Sequence, residues 1–247
     1  MNRFFIKKDQ IRDGEIEING QDVRHIKDVL RLKPGEKIEV VCDGNTYIGE
    51  ILELEKREVK LKVIDSYKGK NEPSTEIILY QGLAKGSKMD FILQKCTELG
   101  VSEFYPLETG RAVVKIKNEK KANSKVDRWQ EIVDQAAKQS KRDVIPLVNE
   151  VLSFVQMIEL LDNVDNIIVP YEDENQKGIK SSLSDIKNKK IHLIIGPEGG
   201  FEQTEIEKLK GIGASIVTLG PRILRTETAG LVAATMILYE LGDLGVV

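Results

Sequence analysis

The spacing of hydrophobic positions changes near residue 75. Before it, apolar and polar residues alternate over short runs at 3–6, 15–18, 37–42, 46–54 and 59–64, a period of two that predicts strands. Val23, Ile26, Val29 and Leu30 instead recur at helical spacing and predict one helix over 22–32, stopped by Lys33-Pro34-Gly35. Asp43-Gly44 and Lys56-Arg57-Glu58 separate strand patterns and read as turns. Several short strands at this spacing predict a small β-barrel. Residues 66–75 are polar, with Gly69 and Pro73, and read as a linker.

Beyond the linker, strand patterns at 76–81, 103–107, 166–169, 191–195 and 215–219 alternate with helical ones at 87–99, 126–139, 154–161, 204–210 and 227–241. That alternation predicts an α/β fold whose mostly parallel sheet is covered on both faces. Ligands in such sheets sit at the carboxyl ends of strands, so the loops after strands are where function is expected.

Composition narrows the class. The chain has 247 residues, 40% of them hydrophobic, enough to bury a core in one or two domains. The longest apolar stretch, 229–239, is far short of the ~20 residues that span a bilayer. The first residues carry no apolar signal core. A cytoplasmic protein with no membrane association is the expectation. Cys42 and Cys96 are too few and too far apart for a disulfide framework. No Cys/His spacing matches a zinc site, so no metal is expected, and no G-x-S-x-G motif occurs.

Charge is uneven. The net charge is −3, which alone argues against a nucleic-acid partner. Residues 85–142, however, carry 13 Lys/Arg against 8 Asp/Glu, whereas 151–247 carry 9 against 14. The basic middle suits phosphates; a solvated Lys-rich stretch around 115–125 explains it equally well.

Three loops after strands stand out. Gly196-Pro197-Glu198-Gly199-Gly200 lets the backbone approach a ligand, although a tight strand-to-helix turn is the plainer reading of its glycines. Thr204 with Glu207 reads as a capping box for the next helix. Residues 220–228, GPRILRTET, pair two arginines with two apolar residues, and Thr226 or Thr228 is placed to cap the last helix. The third loop, 82–88, fails the P-loop pattern: three residues separate its glycines, and Met89 follows Lys88. A nucleotide hydrolase is therefore a distant reading, while Lys85 and Lys88 remain candidates for RNA phosphates. His192 lies in an apolar strand and reads as a core histidine. Trp129 reads as core, His25 faces a partner or water, and 172–174 read as a solvated acidic turn.

GPEGGF at 196–201 followed by LGPRILRTETA at 219–229 resembles the paired signature of the ribosomal RNA small subunit methyltransferase E family, within the SPOUT (trefoil-knot) methyltransferases. Lys88, QKCTELGV at 94–101, Pro106-Leu107, Arg111, AAKQSKR at 136–142, Pro146 and HIKDVLR at 25–31 extend the resemblance over nearly the whole chain. The chain departs from the family's pattern at Ala112, where Ser or Cys is usual, and at Lys138, where Glu is common.

The resemblance implies a PUA-like RNA-gripping barrel over 1–70 and a knotted methyltransferase domain over 74–247. It implies a homodimer that methylates N3 of a uridine in 16S ribosomal RNA of the small subunit, with S-adenosylmethionine as cofactor. Glu198 is the candidate base for the N3 proton, and Arg225 the candidate stabiliser of the uracil oxygens. Gly196, Pro197, Gly199, Gly200, Leu219, Gly220, Ile223, Leu224, Thr226 and Ala229 form the expected cofactor set. Arg3, Arg24, Arg31, Lys85, Lys88, Arg111 and Arg142 form the expected RNA set. The alternatives are a non-catalytic RNA-binding protein and a SPOUT enzyme acting on another RNA.

Overall fold

The computed structural model describes residues 1–247 apart from Lys117, Asp185, Lys187, Val246 and Val247. Lys117, part of the Lys-rich run, thus lies outside the described residues. The chain forms two compact units. The first is Met1–Glu72 with Ala137–Val144, the second Pro73–Ala136 with Ile145–Val247.

In the first unit, β1 (Arg3–Phe5), β2 (Ile11–Arg12), β3 (Glu15–Asn19), β4 (Lys37–Cys42), β5 (Asn45–Leu54) and β6 (Glu58–Lys68) form one sheet. Its order is β1-β4-β5-β6-β3-β2. Only the β1–β4 pair is parallel. Alternation places Ile16, Ile18, Ile38, Val40, Val59 and Leu61 in one core with Phe4 and Ile51. Asp43 (φ 47°) and Gly44 (φ 73°) both take positive φ between β4 and β5, the tight hairpin turn that Asp-Gly favours. Register shifts at Ile48/Gly49 and Ile51/Glu53 bend β5, and a Cβ at Gly49 would come within 2.9 Å of Leu61.

Two sequence expectations change here. The helix over 22–32 is instead a short α1 (Gln21–Arg24) running into a π turn, His25–Val29. The turn keeps Val23 and Ile26 in the core but leaves Val29 68% exposed. The stretch over 66–75 does not start as a free linker, because β6 continues to Lys68, with Thr46 opposite Tyr67 and Asn45 opposite Lys68. Cross-strand hydrogen bonds outweigh the polar composition.

Residues 137–144 are held to the first unit by buried charge. Arg3 bonds Glu39 through Nε (3.0 Å), Thr46 through Nη2 (3.0 Å), and Asp143 (3.2 Å) and the Lys141 and Arg142 carbonyls through Nη1. Arg142 in turn donates from Nε to Glu72 at 3.1 Å.

The second unit carries β7 (Glu76–Gly82), α2 (Lys88–Leu99), β8 (Glu103–Glu108), α3 (Glu119–Gln139, as far as Ala136), β9 (Leu147–Val148), β10 (Leu152–Ser153) and α4 (Phe154–Leu160). It continues through β11 (Ile167–Pro170), α5 (Ile179–Leu183), β12 (Lys190–Ile195), α6 (Gln203–Gly211), β13 (Ser215–Val217) and α7 (Thr226–Glu240). The sheet order is β10-β8-β7-β12-β11-β13, with β9 also on β8, and every pairing is parallel. Along β7, Ile77 and Leu79 face a core shared with α2 and α7. Ile78 and Tyr80 face a second core shared with α4 and α6. Both faces are thus covered, as near-continuous apolar strands require.

Helix starts differ from the sequence reading. α6 begins one residue early and is capped by Glu202 with Glu205, not Thr204 with Glu207. Glu205 is free to fold back on the Glu202 N–H (2.8 Å) and the Gly110 N–H (2.9 Å) because its position faces inward. α7 has Arg225 at its cap position without a side-chain bond, since the Thr226 hydroxyl is engaged elsewhere. α7 packs on α2 and β7, so the chain leaves the sheet's far edge at β13 and returns across its centre.

Candidate active site

The carboxyl ends of β11, β12 and β13 open onto a cavity of about 740 Å³. It is lined by the loop after β12 (Gly196, Pro197, Glu198, Gly200, Phe201) and by residues 218–226 and Ala229. Of the expected cofactor set, only Gly199 is outside the lining; a Cβ there would strike the Arg111 carbonyl at 2.9 Å. Gly200 has φ +67°, and a Cβ there would clash with Glu172 Oε1. A Cβ on Gly82, at the end of β7, would clash with the Pro197 nitrogen. These glycines permit close loop approach that side chains would block.

Pro170, Tyr171, Glu172, Glu174 and Asn175 form a wall that the sequence reading missed. The acidic turn after β11 is part of the cavity. Its position after a parallel strand was the available signal, and composition alone suggested a solvated turn. Glu174 accepts from the Gln176 N–H (2.7 Å) and the Lys177 N–H (3.1 Å), which hold its carboxyl below the usual range.

Glu198 and Lys88 meet at the cavity wall. Glu198 Oε1 accepts from the Lys85 N–H at 3.0 Å and lies 3.4 Å from Lys88 Nζ. Burial pushes the Glu198 carboxyl up, but the backbone N–H groups and the ammonium outweigh it, so the group is held below its ordinary value. Lys88 Nζ also lies 3.2 Å from Glu227 Oε2, and its bond to Glu227 chiefly raises its own pKa. Lys88, expected on RNA phosphates, is therefore a bridge between two carboxylates in the cavity wall. Arg225 lies 3.9 Å from Glu227 with an 83% exposed side chain.

Among the remaining cations, Lys85 and Arg111 are exposed in the second unit, with Arg111 Nη1 3.4 Å from the Gly199 carbonyl. Arg24 and Arg31 are exposed in the first. Arg3 and Arg142 depart from the expected RNA set: they are 7% and 4% exposed and committed to carboxylates within the first unit, so neither offers its guanidinium to a phosphate. Arg24 joins Lys27, Lys56 and Arg57 around a second hollow of about 640 Å³ with Gly20, Val23 and Asp28. Lys27 is anchored there by its bond to the Glu55 carbonyl (2.6 Å). The hairpin carboxylates Glu53, Glu55 and Glu58 all lie within 3.6 Å of Lys60 Nζ. In the sequence, Lys56 and Arg57 stand out only as turn residues.

His192 is buried, as expected, with Nδ1 3.1 Å from the Tyr80 hydroxyl. Burial pushes the Cys96 thiol up to about 12, so it is no nucleophile at neutral pH. Among the described residues, no group of three or more His, Cys, Asp or Glu is placed to hold a metal ion. No helix there is long and apolar enough to cross a membrane.

A family profile described as an RNA methyltransferase domain matches residues 70–238, and one described as an RNA methyltransferase PUA domain matches 18–64. The ribosomal RNA small subunit methyltransferase E of Bacillus subtilis is 37% identical over 97% of both chains. The protein of the same name from Aquifex aeolicus is 33% identical over 89% of both. Among solved structures, a ribosomal RNA small subunit methyltransferase E from Neisseria gonorrhoeae bound to S-adenosyl methionine superposes with a TM-score of 0.83. It is 32% identical, with 97% of each chain covered.

Proposed function

Because this chain belongs to the ribosomal RNA small subunit methyltransferase E family, we propose that it methylates N3 of a uridine in 16S ribosomal RNA, using S-adenosylmethionine. The cavity carries this reading. Its 740 Å³ lies within the range of small-molecule and cofactor sites. Ile195, Leu219, Leu224 and Ala229 offer apolar surface to an adenine, and backbone groups of the glycine loops offer hydrogen bonds to its edge and ribose. Glu172, Glu174 and Glu198 give the cavity an acidic wall suited to a ligand with a sulfonium and an ammonium. The bound cofactor supplies an electrophilic methyl carbon.

The chain's residues supply orientation and proton transfer. Glu198, kept as a carboxylate by Lys85 and Lys88, accepts the N3 proton. Arg225, free to turn toward the cavity mouth, stabilises negative charge on the uracil oxygens. N3 lies on the pairing edge, so the target base reacts unpaired or flipped out. Residues 1–70 grip RNA, with Arg24 and Arg31 joined by Lys27, Lys56 and Arg57; residues 74–247 perform the chemistry, with Lys85 and Arg111 on phosphates. The enzyme works in the cytoplasm, where its ribosomal substrate is assembled.

A homodimer completes the proposal. α7 is largely apolar, yet Met236 is 39% and Tyr239 67% exposed. A second copy is the occupant expected on that face.

The test is nucleoside mass spectrometry. Purified protein, S-adenosylmethionine and small subunits from cells lacking the gene are incubated, and the RNA is digested. New 3-methyluridine supports the reading. A different methylated nucleoside overturns the target, and absence of cofactor binding overturns the enzyme.

A further inference from the structure

One side chain outside the cavity ties its two principal loops together. Gln81 is the penultimate residue of β7, 0% exposed, and faces the apolar core between β7 and α7. A buried amide in such a place is costly unless its polar atoms are satisfied. Its Nε2 donates to the Gly82 carbonyl at 3.1 Å and to Thr226 Oγ1 at 2.9 Å. Thr226 Oγ1 in turn donates to the Gly196 carbonyl at 2.6 Å.

The direction of this chain is fixed by donor counting. A threonine hydroxyl has one proton, and here it goes to Gly196. Thr226 can therefore only accept from Gln81. The Gly82 carbonyl is likewise an acceptor. Both neighbours of the amide nitrogen demand a donor, so the side chain is held in one orientation, and its Oε1 is left buried without a partner. Space for that oxygen exists because Gly230 has no side chain; a Cβ there would lie 3.3 Å from it.

Thr226 starts α7 and Gly196 starts the loop after β12, and both line the cavity. Gln81 does not. We infer that Gln81 is a positioning residue: through the Thr226 hydroxyl it sets the separation of the 196–201 and 218–226 loops, and so the fit of the cavity to its ligand. An unpaired buried carbonyl is retained because the amide donors on the other side hold this register. The inference rests on the cavity being the S-adenosylmethionine site.

The experiment is a double-mutant cycle on the full chain, read as S-adenosylmethionine affinity by calorimetry, alongside melting temperature and the separate kcat and KM for RNA. Gln81→Leu and Thr226→Val each remove the bridge, and each is expected to weaken cofactor binding about tenfold. The double variant should be no weaker than either single one, because both break the same chain. Thr226→Ser keeps the hydroxyl and should rescue most of the affinity lost in Thr226→Val. KM for RNA should not change.

Wild-type affinity in Gln81→Leu, or additive losses in the double variant, overturns the inference. If Gln81→Leu fails to fold, the Thr226→Val and Thr226→Ser pair decides: equal cofactor affinity in the two removes the hydroxyl bridge, and with it the role of Gln81. A wild-type chain that does not bind S-adenosylmethionine overturns the underlying cofactor reading instead.

Discussion

Arg3 Nη1 lies 3.2 Å from Asp143 Oδ1, across 140 positions of sequence, and the two side chains are 3% and 2% exposed. The guanidinium is fully surrounded by acceptors. Removing it leaves Asp143 buried without its charged partner and Glu39 half-buried without one, which is worse than never having had the pair. Arg3→Met should destabilise the first unit by about 3–5 kcal/mol in urea denaturation. Cofactor affinity should stay at the wild-type level; a simultaneous loss would mean the defect reaches the cavity.

Lys88 and Glu198 make a second prediction, about rate and pH. Glu198→Gln should lower kcat by about a hundredfold or more, a larger loss than that in cofactor affinity, and full turnover would remove Glu198 as the base. Since Lys88 helps hold the Glu198 carboxyl low, Lys88→Met should move the acid limb of the kcat/KM profile to higher pH. An unmoved limb would mean that another group titrates there.

His192 predicts a stability change. Burial first, and then Lys190, lower its pKa from the ordinary 6.5. A group with a depressed folded pKa favours the folded state above its unfolded pKa, and that support is lost as pH falls toward the folded value. Acid should therefore cost the wild type more than His192→Gln, which cannot titrate. Urea midpoints compared at about pH 7.5 and about pH 5 would reveal it as a gap closing or reversing in the variant's favour. Parallel curves would exclude the histidine as a contributor.

The hollow around Lys56 and Arg57 predicts a salt effect. Lys56→Glu with Arg57→Glu should weaken RNA binding at low salt and flatten the slope of log affinity against log salt by about 1 for each phosphate no longer neutralised. An unchanged slope would place the RNA elsewhere.

Periodicity and turn chemistry revealed much of this molecule. The alternation at 15–18 and 59–64 placed Ile16, Ile18, Val59 and Leu61 in the barrel core, and Asp43-Gly44 marked its hairpin. The glycines at 196 and 200 and the 219–226 stretch, read together, line one cavity. What could not be read was set by partners distant in sequence. Arg3 and Arg142 look like surface cations until Glu39, Asp143 and Glu72 surround them. Val29 has helical spacing, but the π turn rotates it outward. Glu172 and Glu174 look solvated because the cavity wall opposite them is some fifty residues further along the chain. Gln81 gave no signal at all: its meaning depends on Thr226, 145 positions away.

The grouping of residues 137–144 with the barrel has a consequence for biosynthesis. A ribosome releases the six barrel strands first, but the segment that closes around Arg3 emerges only after α2, β8 and α3 have been made. Until then the nascent barrel holds an arginine paired with Glu39 and Thr46 but lacking its Nη1 acceptors on residues 141–143. Its final stability must come late, after part of the second unit already exists. Exchange of barrels between related enzymes by a single crossover near residue 72 would strand that segment, so the two parts are expected to evolve as a matched set.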